Sequence, residues 1–202
     1  MPYPDRFYPV VDSISWVARL TKLGVGTIQL RAKNLNDADA LAIVREGLVV
    51  TRGTHSELVV NDYWRAAIEA QARHLHLGQE DLADADLAAI RKAGLSLGVS
   101  THDDDELATA LRAKPDYVAL GPIFFTTLKS MRFAPQGIPK ITEWKRRVGN
   151  LPLVAIGGIK FEHAAAIFAA GADSIAVVSD VTQNADPDAR VRHWLGASAK
   201  AA

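Results

Sequence analysis

Eight short apolar runs, most of them rich in β-branched residues, recur along the chain: FYPVV (7–11), GTIQL (26–30), ELVV (57–60), HLHL (74–77), LSLGV (95–99), DYVAL (116–120), PLVAI (152–156) and SIAVV (174–178). Between them, apolar residues return every three or four positions, as in Leu41, Val44 and Leu48, or Leu107, Ala110 and Leu111. Short β-rich runs alternating with segments of helical period predict βαβ units around a parallel sheet. Gly24, Gly94 and Gly171 each follow a helical segment and precede a strand, where a left-handed helix C-terminus favours glycine. Eight such units in 202 residues predict a single (β/α)₈ barrel domain spanning 1–202, with a doubly wound open sheet as the competing arrangement. No linker-like stretch interrupts the pattern, and the Ala-rich end GASAKAA (196–202) reads as a frayed tail.

Charge narrows the functional classes. Lys plus Arg total 23 and Asp plus Glu total 23, so there is no cationic excess to hold a nucleic-acid backbone or an anionic membrane. The absence of cysteine removes disulfides, thiolate metal sites and cysteine nucleophiles, and it fits a reducing compartment; cytoplasm is the expectation. The apolar runs fall short of the roughly 20 residues of a membrane-spanning helix, and MPYPDRFYPVV has no signal-peptide core. Small molecules are the expected partners, and a homodimer is left open.

Polar residues gather where strands end, the face on which parallel α/β barrels build their sites. Gln29, Arg31 and Lys33 leave the second strand, Asn61 and Asp62 the third, and Gln79, Glu80 and Asp81 the fourth. Ser100 ends the fifth; Thr126, Thr127 and Lys129 follow the sixth, Gly157 and Gly158 the seventh, and Ser179 the eighth. Alternation would point Gln29, Arg31 and Lys33 one way, and with Lys129 they call for a polyanion. Asp62 and Asp81 are candidate ligands of Mg²⁺, which favours oxygen donors and one or two carboxylates beside substrate phosphates. Either could instead cap the helix that follows it. The AIGGI loop (155–159) and the AVVSD stretch (176–180) occupy the positions of a barrel phosphate site. His74 and His76 share one strand face and read as interior residues, Ser100 could cap the THDDDEL helix, and Asp103, Asp104, Asp105 and Glu106 suit its first turn. No zinc motif and no Ser/His/Asp arrangement is visible.

Taken in order, QLRAK (29–33), VNDYW (60–64), HLGQEDL (76–82), GVSTH (98–102), TTLKSM with APQG (126–137), AIGGI and SIAVVS (174–179) resemble the thiamine phosphate synthase family over about residues 7 to 180. Single pieces recur in other phosphate-binding barrels; the ordered set is specific. The resemblance implies condensation of an aminopyrimidine methyl diphosphate with a thiazole ethyl phosphate, usually in its carboxylated form, giving thiamine phosphate and pyrophosphate. It implies that Gln29, Arg31, Lys33, Asn61, Ser100 and Lys129 hold the pyrimidine diphosphate, with Arg31, Lys33, Ser100 and Lys129 catalytic, and it counts Leu30 and Ala32 among the substrate-binding positions. It places Mg²⁺ on Asp62 and Asp81. Thr126, Thr127, Leu128, Gly158, Val178 and Ser179 would face the thiazole phosphate. Two positions depart from the family's P-T-x-T-K pattern: Phe125 replaces a proline, and Leu128, with no hydroxyl to donate, replaces a threonine. A thiazole tautomerase of the same barrel family and a non-catalytic sensor of a thiamine precursor are the alternatives.

Overall fold

The computed structural model describes residues 3–126 and 133–199. Its eight strands are β1 (Phe7–Val11), β2 (Thr27–Leu30), β3 (Glu57–Asn61), β4 (His74–Leu77), β5 (Ser96–Thr101), β6 (Tyr117–Leu120), β7 (Leu153–Ile156) and β8 (Ser174–Val177). All neighbours pair in parallel, and Phe7 of β1 opposite Ile175 of β8 closes the sheet into a barrel. The helices are α1 (Ile14–Lys22), α2 (Asp37–Thr51), α3 (Trp64–Glu69), α4 (Gln79–Asp84), α5 (Leu87–Lys92), α6 (Asp104–Arg112), α7 (Gly137–Val148), α8 (Ala164–Ala169), α9 (Ser179–Thr182) and α10 (Pro187–Ala199). The open sheet is thereby excluded. No helix among the described residues is long and apolar enough to cross a membrane.

Local chemistry explains the boundaries. Asn36 caps α2 by accepting from the Asp39 N–H, Asp86 caps α5, and Asp103 caps α6 by accepting from the Glu106 N–H. The expected acidic first turn of α6 is present, but its cap is Asp103; Ser100 lies inside β5. Gly24, Gly94 and Gly171 all take positive φ, as helix ends before a strand require. A second repeated device follows them. Asp116, just before β6, accepts the N–H of Leu97, and Asp173, just before β8, accepts the N–H of Leu153. Each aspartate holds the start of the preceding strand to the entry of its own. At the far end, α10 runs to Ala199 and takes in 196–199 of the stretch expected to fray, in keeping with alanine's high helix propensity.

Alternation along the strands produces two cores. Outward residues such as Ile28, Leu75, Val118 and Ile175 meet Leu20, Leu107, Ile141, Trp144 and Trp194 of the helices. Inward residues Tyr8, Val10, Val59, Tyr117, Ala119, Val154 and Ala176 fill the barrel. Complete burial of each leucine or isoleucine contributes about 1.5–3 kcal/mol. At the carboxyl end of the barrel the Asp180 carboxylate accepts from the Phe161 N–H, Trp194 Nε1 and Arg190, joining the segments after β7 and β8 to α10. Trp194 also stacks on Phe7 of β1, ring centroids 5.3 Å apart.

Inside the barrel, a Cβ at Gly98 would overlap the Tyr117 ring. Gly98→Ala is therefore expected to destabilise the fold by about 1–3 kcal/mol, as overpacking of a filled interior does. A lowered urea midpoint checks this; an unchanged midpoint would mean that the Tyr117 ring has room to move.

Candidate active site

The carboxyl ends of the strands surround a cavity of about 540 Å³. Gln29, Arg31, Asn61 and Ser100 line one side, and Gly158, Val178 and Ser179 line the other, with Thr126 at the edge. The sides differ in chemistry. Arg31 supplies a cation that forms no ion pair among the described residues, and the buried Asn61 amide nitrogen has no hydrogen-bond partner. A buried donor without an acceptor is costly, so the Asn61 nitrogen is set to meet an acceptor on a ligand.

Opposite them, Gly157 and Gly158 both take positive φ. A Cβ on Gly157 would press on Pro122, and one on Gly158 on the backbone of Phe124 and Phe125. Only glycines let these two loops approach so closely, which leaves backbone at the cavity wall instead of side chains. Phe124 in turn packs on His163. Phe125, one of the two departures from the family pattern, is 77% exposed.

Beneath the cavity a chain of hydrogen bonds crosses the barrel. Gln29 Nε2 donates to the Tyr8 hydroxyl at 2.7 Å, and the Tyr8 and Tyr117 hydroxyls lie 2.8 Å apart. The Tyr117 hydroxyl meets His76 Nδ1 at 2.9 Å, and His76 Nε2 meets Ser100 Oγ at 2.8 Å. Burial lowers His76 to about 4, so the imidazole is neutral near neutral pH. The expectation of a hydrogen-bonded interior holds for His76. His74, on the same strand face one step below, stacks on Tyr3 and approaches Glu57 at 3.5 Å.

Asp62 and Asp81 come together at the side of the barrel mouth. Asp62 has φ of 66°, a left-handed conformation that aspartate tolerates better than most residues. Neither caps a helix: Tyr63 precedes α3, Gly78 precedes α4, and Asp81 sits within the first turn. The two carboxyls lie close enough to act on each other's protonation. Burial, then the Asp62 charge, push Asp81 up to about 6. Burial also works on Asp62, but the Lys33 ammonium bonded to it prevails and holds it below the ordinary value. Both acids open onto a second cavity of about 360 Å³, shared with Asp37, Glu69 and Asp84.

The remaining predicted positions divide. β2 ends at Leu30, so strand alternation stops there; Lys33 turns to Asp62 and leaves the larger cavity to Arg31 and Gln29. The Leu30 side chain packs in the core between sheet and helices and Ala32 is buried, so neither side chain reaches the cavity. Thr127, Leu128 and Lys129 lie outside the described residues. The segment resumes on firm anchors: Phe133 stacks on His102, and Gln136 donates to the His102 carbonyl at 2.7 Å. Sequence reasoning did not select Tyr8, Tyr117, Asp12 or Trp16. The first two carried a usable signal, since Tyr8 with Val10 and Tyr117 with Ala119 share the inward face by strand period. Asp12 and Trp16, which line the cavity beside Val11, lay just past β1 with no motif around them.

Comparison with known proteins gives this geometry a family. A family model described as thiamine monophosphate synthase matches residues 7–181. A thiamine-phosphate synthase of Rhizobium etli is 54% identical over 195 residues, covering 96% of either chain. Another, of Cronobacter sakazakii, is 49% identical over 199 residues, covering 98% of this chain and 91% of the relative. A solved thiamine phosphate pyrophosphorylase from Pyrococcus furiosus superposes with a TM-score of 0.84 at 25% identity, covering 96% of each chain. A 3-hexulose-6-phosphate synthase, 15% identical with a TM-score of 0.71 over 95% of this chain and 99% of its own, shares the fold. Since the family model and its half-identical relatives both span nearly the whole barrel, the chain belongs to the thiamine monophosphate synthase family.

Proposed function

We propose that the protein condenses 4-amino-2-methyl-5-(diphosphooxymethyl)pyrimidine with 4-methyl-5-(2-phosphoethyl)thiazole to give thiamine phosphate and pyrophosphate, with release of CO₂ as well when the thiazole enters in its 2-carboxy form. The observation that carries this reading is one cavity with two unlike anion-facing walls. Arg31 and the unpartnered Asn61 nitrogen form one, and the glycine-backed loop with Ser179 forms the other. Two phosphorylated substrates can enter it from opposite sides.

The Asp62–Asp81 pair suits a divalent cation. Two neighbouring, partly exposed carboxyls, one of them with its proton held more tightly than usual, are a site where a metal can compete with that proton, and all-oxygen donors favour Mg²⁺. Among the described residues no cluster of three metal-ligating side chains occurs, so Mg²⁺ held on this pair would have to take its remaining ligands from water and substrate phosphate. Mg²⁺ bound there would supply positive charge to the diphosphate leaving group. Lys33 would keep Asp62 ionised.

For the reaction itself, the pyrimidine methylene C–O bond breaks and its electron pair leaves with pyrophosphate. The aminopyrimidine stabilises the resulting cation, and the thiazole nitrogen closes the new C–N bond. Arg31 and Lys129 would stabilise charge on the departing group. The barrel wall would hold the rings in reach of one another and keep out water, which would otherwise capture the cation. No strong protein base is needed.

Purified protein given both substrates and Mg²⁺ should release pyrophosphate in step with thiochrome fluorescence after oxidation; binding without release would refute catalysis. Asp62→Ala should lose about 100-fold or more of the Mg²⁺-dependent turnover, the scale of several kcal/mol of lost charge stabilisation, with far-UV circular dichroism unchanged. A wild-type rate at limiting Mg²⁺ would remove Asp62 from the metal site. Arg31→Ala and Lys129→Ala should each raise KM for the pyrimidine diphosphate about tenfold or more while sparing the thiazole phosphate, and the opposite pattern would exchange the two walls.

A further inference from the structure

The donor capacities along the interior chain give it a direction. A glutamine amide nitrogen can only donate, so the bond from Gln29 Nε2 uses the Tyr8 oxygen as an acceptor. The Tyr8 proton then has the Tyr117 oxygen, 2.8 Å away, as its acceptor. Tyr117 passes its own proton to His76 Nδ1, and the single N–H of the neutral imidazole falls on Nε2, facing Ser100 Oγ. In this order each proton from Gln29 to His76 finds an acceptor within the chain, and only the Ser100 proton is left over, at the cavity wall. In the reverse order Ser100 donates to His76, His76 to Tyr117 and Tyr117 to Tyr8, so that Tyr8 receives two donors and its own buried proton is left without a partner in the chain.

We propose that Gln29, Tyr8, Tyr117 and His76 form a one-way hydrogen-bond chain that occupies the Ser100 oxygen as an acceptor and turns the Ser100 proton into the cavity. Ser100 is thereby fixed as a donor and selects an unprotonated nitrogen or oxygen on the ligand. Tyr8, Tyr117 and His76 are positioning residues. The steric setting enforces the arrangement, because the Tyr117 ring lies against Gly98, which has no side chain to displace it, and both tyrosine rings are fully buried. Gln79 Nε2 adds a restraint by donating to the Ser100 carbonyl at 2.6 Å, which holds the serine backbone while the side chain is directed. This inference rests on the proposed function only in taking the pyrimidine diphosphate as the ligand that Ser100 meets.

The tautomer is measurable without any substrate. Two-bond ¹H–¹⁵N correlation spectra of the labelled protein should show His76 protonated at Nε2 and bare at Nδ1; protonation at Nδ1 overturns the proposal. Tyr117→Phe keeps the ring and removes the hydroxyl, so it should shift the His76 signals towards Nδ1 protonation and lower kcat/KM for the pyrimidine diphosphate about tenfold, the worth of one directed hydrogen bond. Because it acts through Ser100, adding it to Ser100→Ala should cost nothing further, whereas effects that multiply would overturn the chain and leave Tyr117 a packing residue. Inorganic pyrophosphate as an inhibitor separates the two acceptors. Weaker inhibition of Ser100→Ala identifies a phosphate oxygen, and unchanged inhibition with weakened pyrimidine diphosphate identifies a ring atom. If Ser100→Ala alters neither, the donor role is wrong. The expected tautomer in a protein without turnover would preserve the chain and refute the functional reading alone.

Discussion

A closed parallel barrel must fill its own interior, and here the filling is partly polar. Tyr117 reaches across the space that Gly98 leaves open, and its hydroxyl sits among Tyr8 and His76 where no apolar side chain could satisfy them. Buried hydroxyls and imidazoles are tolerable only when each has a partner. The residues above this network, Asn61, Ser100 and Arg31, therefore stand on a floor whose rotamers are already determined. A site that must hold two ligands in fixed register depends on such rigidity as much as on the groups that touch them.

The charge arrangement follows a related logic of separation. Asp62 is a negative group in a protein that must bind anions, and it lies just after Asn61 at the cavity wall. Its left-handed backbone turns the carboxylate towards Lys33 and Asp81, so the acids collect in the adjoining cavity while Arg31 remains facing the larger one. The acidic and cationic regions thus meet at a boundary beside Asn61 rather than mixing within one cavity.

How legible this was depends on the range of the interaction. All eight strands were readable because burial on both faces imposes short β-branched runs, and their limits shift by only a residue or two. The barrel-closing pair β1–β8 followed from counting units. The site was readable where it coincides with strand ends, as for Gln29, Asn61, Ser100 and Gly158. It was obscured where local rules gave way to contacts between distant segments. Lys33 obeyed alternation on paper, but the strand had already ended, and a carboxylate from the next β/α loop claimed it. Ser100 resembled a helix cap because the acidic run Asp103–Glu106 follows it two residues on, yet Asp103 was better placed for that task. Tyr8 and Tyr117 stand 109 positions apart, and no local pattern shows that their hydroxyls meet.

The Asp180 clasp bears on how the protein comes into being on the ribosome. Phe161, Arg190 and Trp194 converge on one carboxylate, while Trp194 lies flat against Phe7 from the very first strand. Synthesis makes β1 long before α10. Until α10 has emerged, the turn of helix bearing Ser179 lacks its brace and β1 lacks one of its covers. The glycine-backed wall of the cavity is thus braced only once a segment far along the chain has been made, whereas the β2 strand behind Arg31 needs no contact with α10.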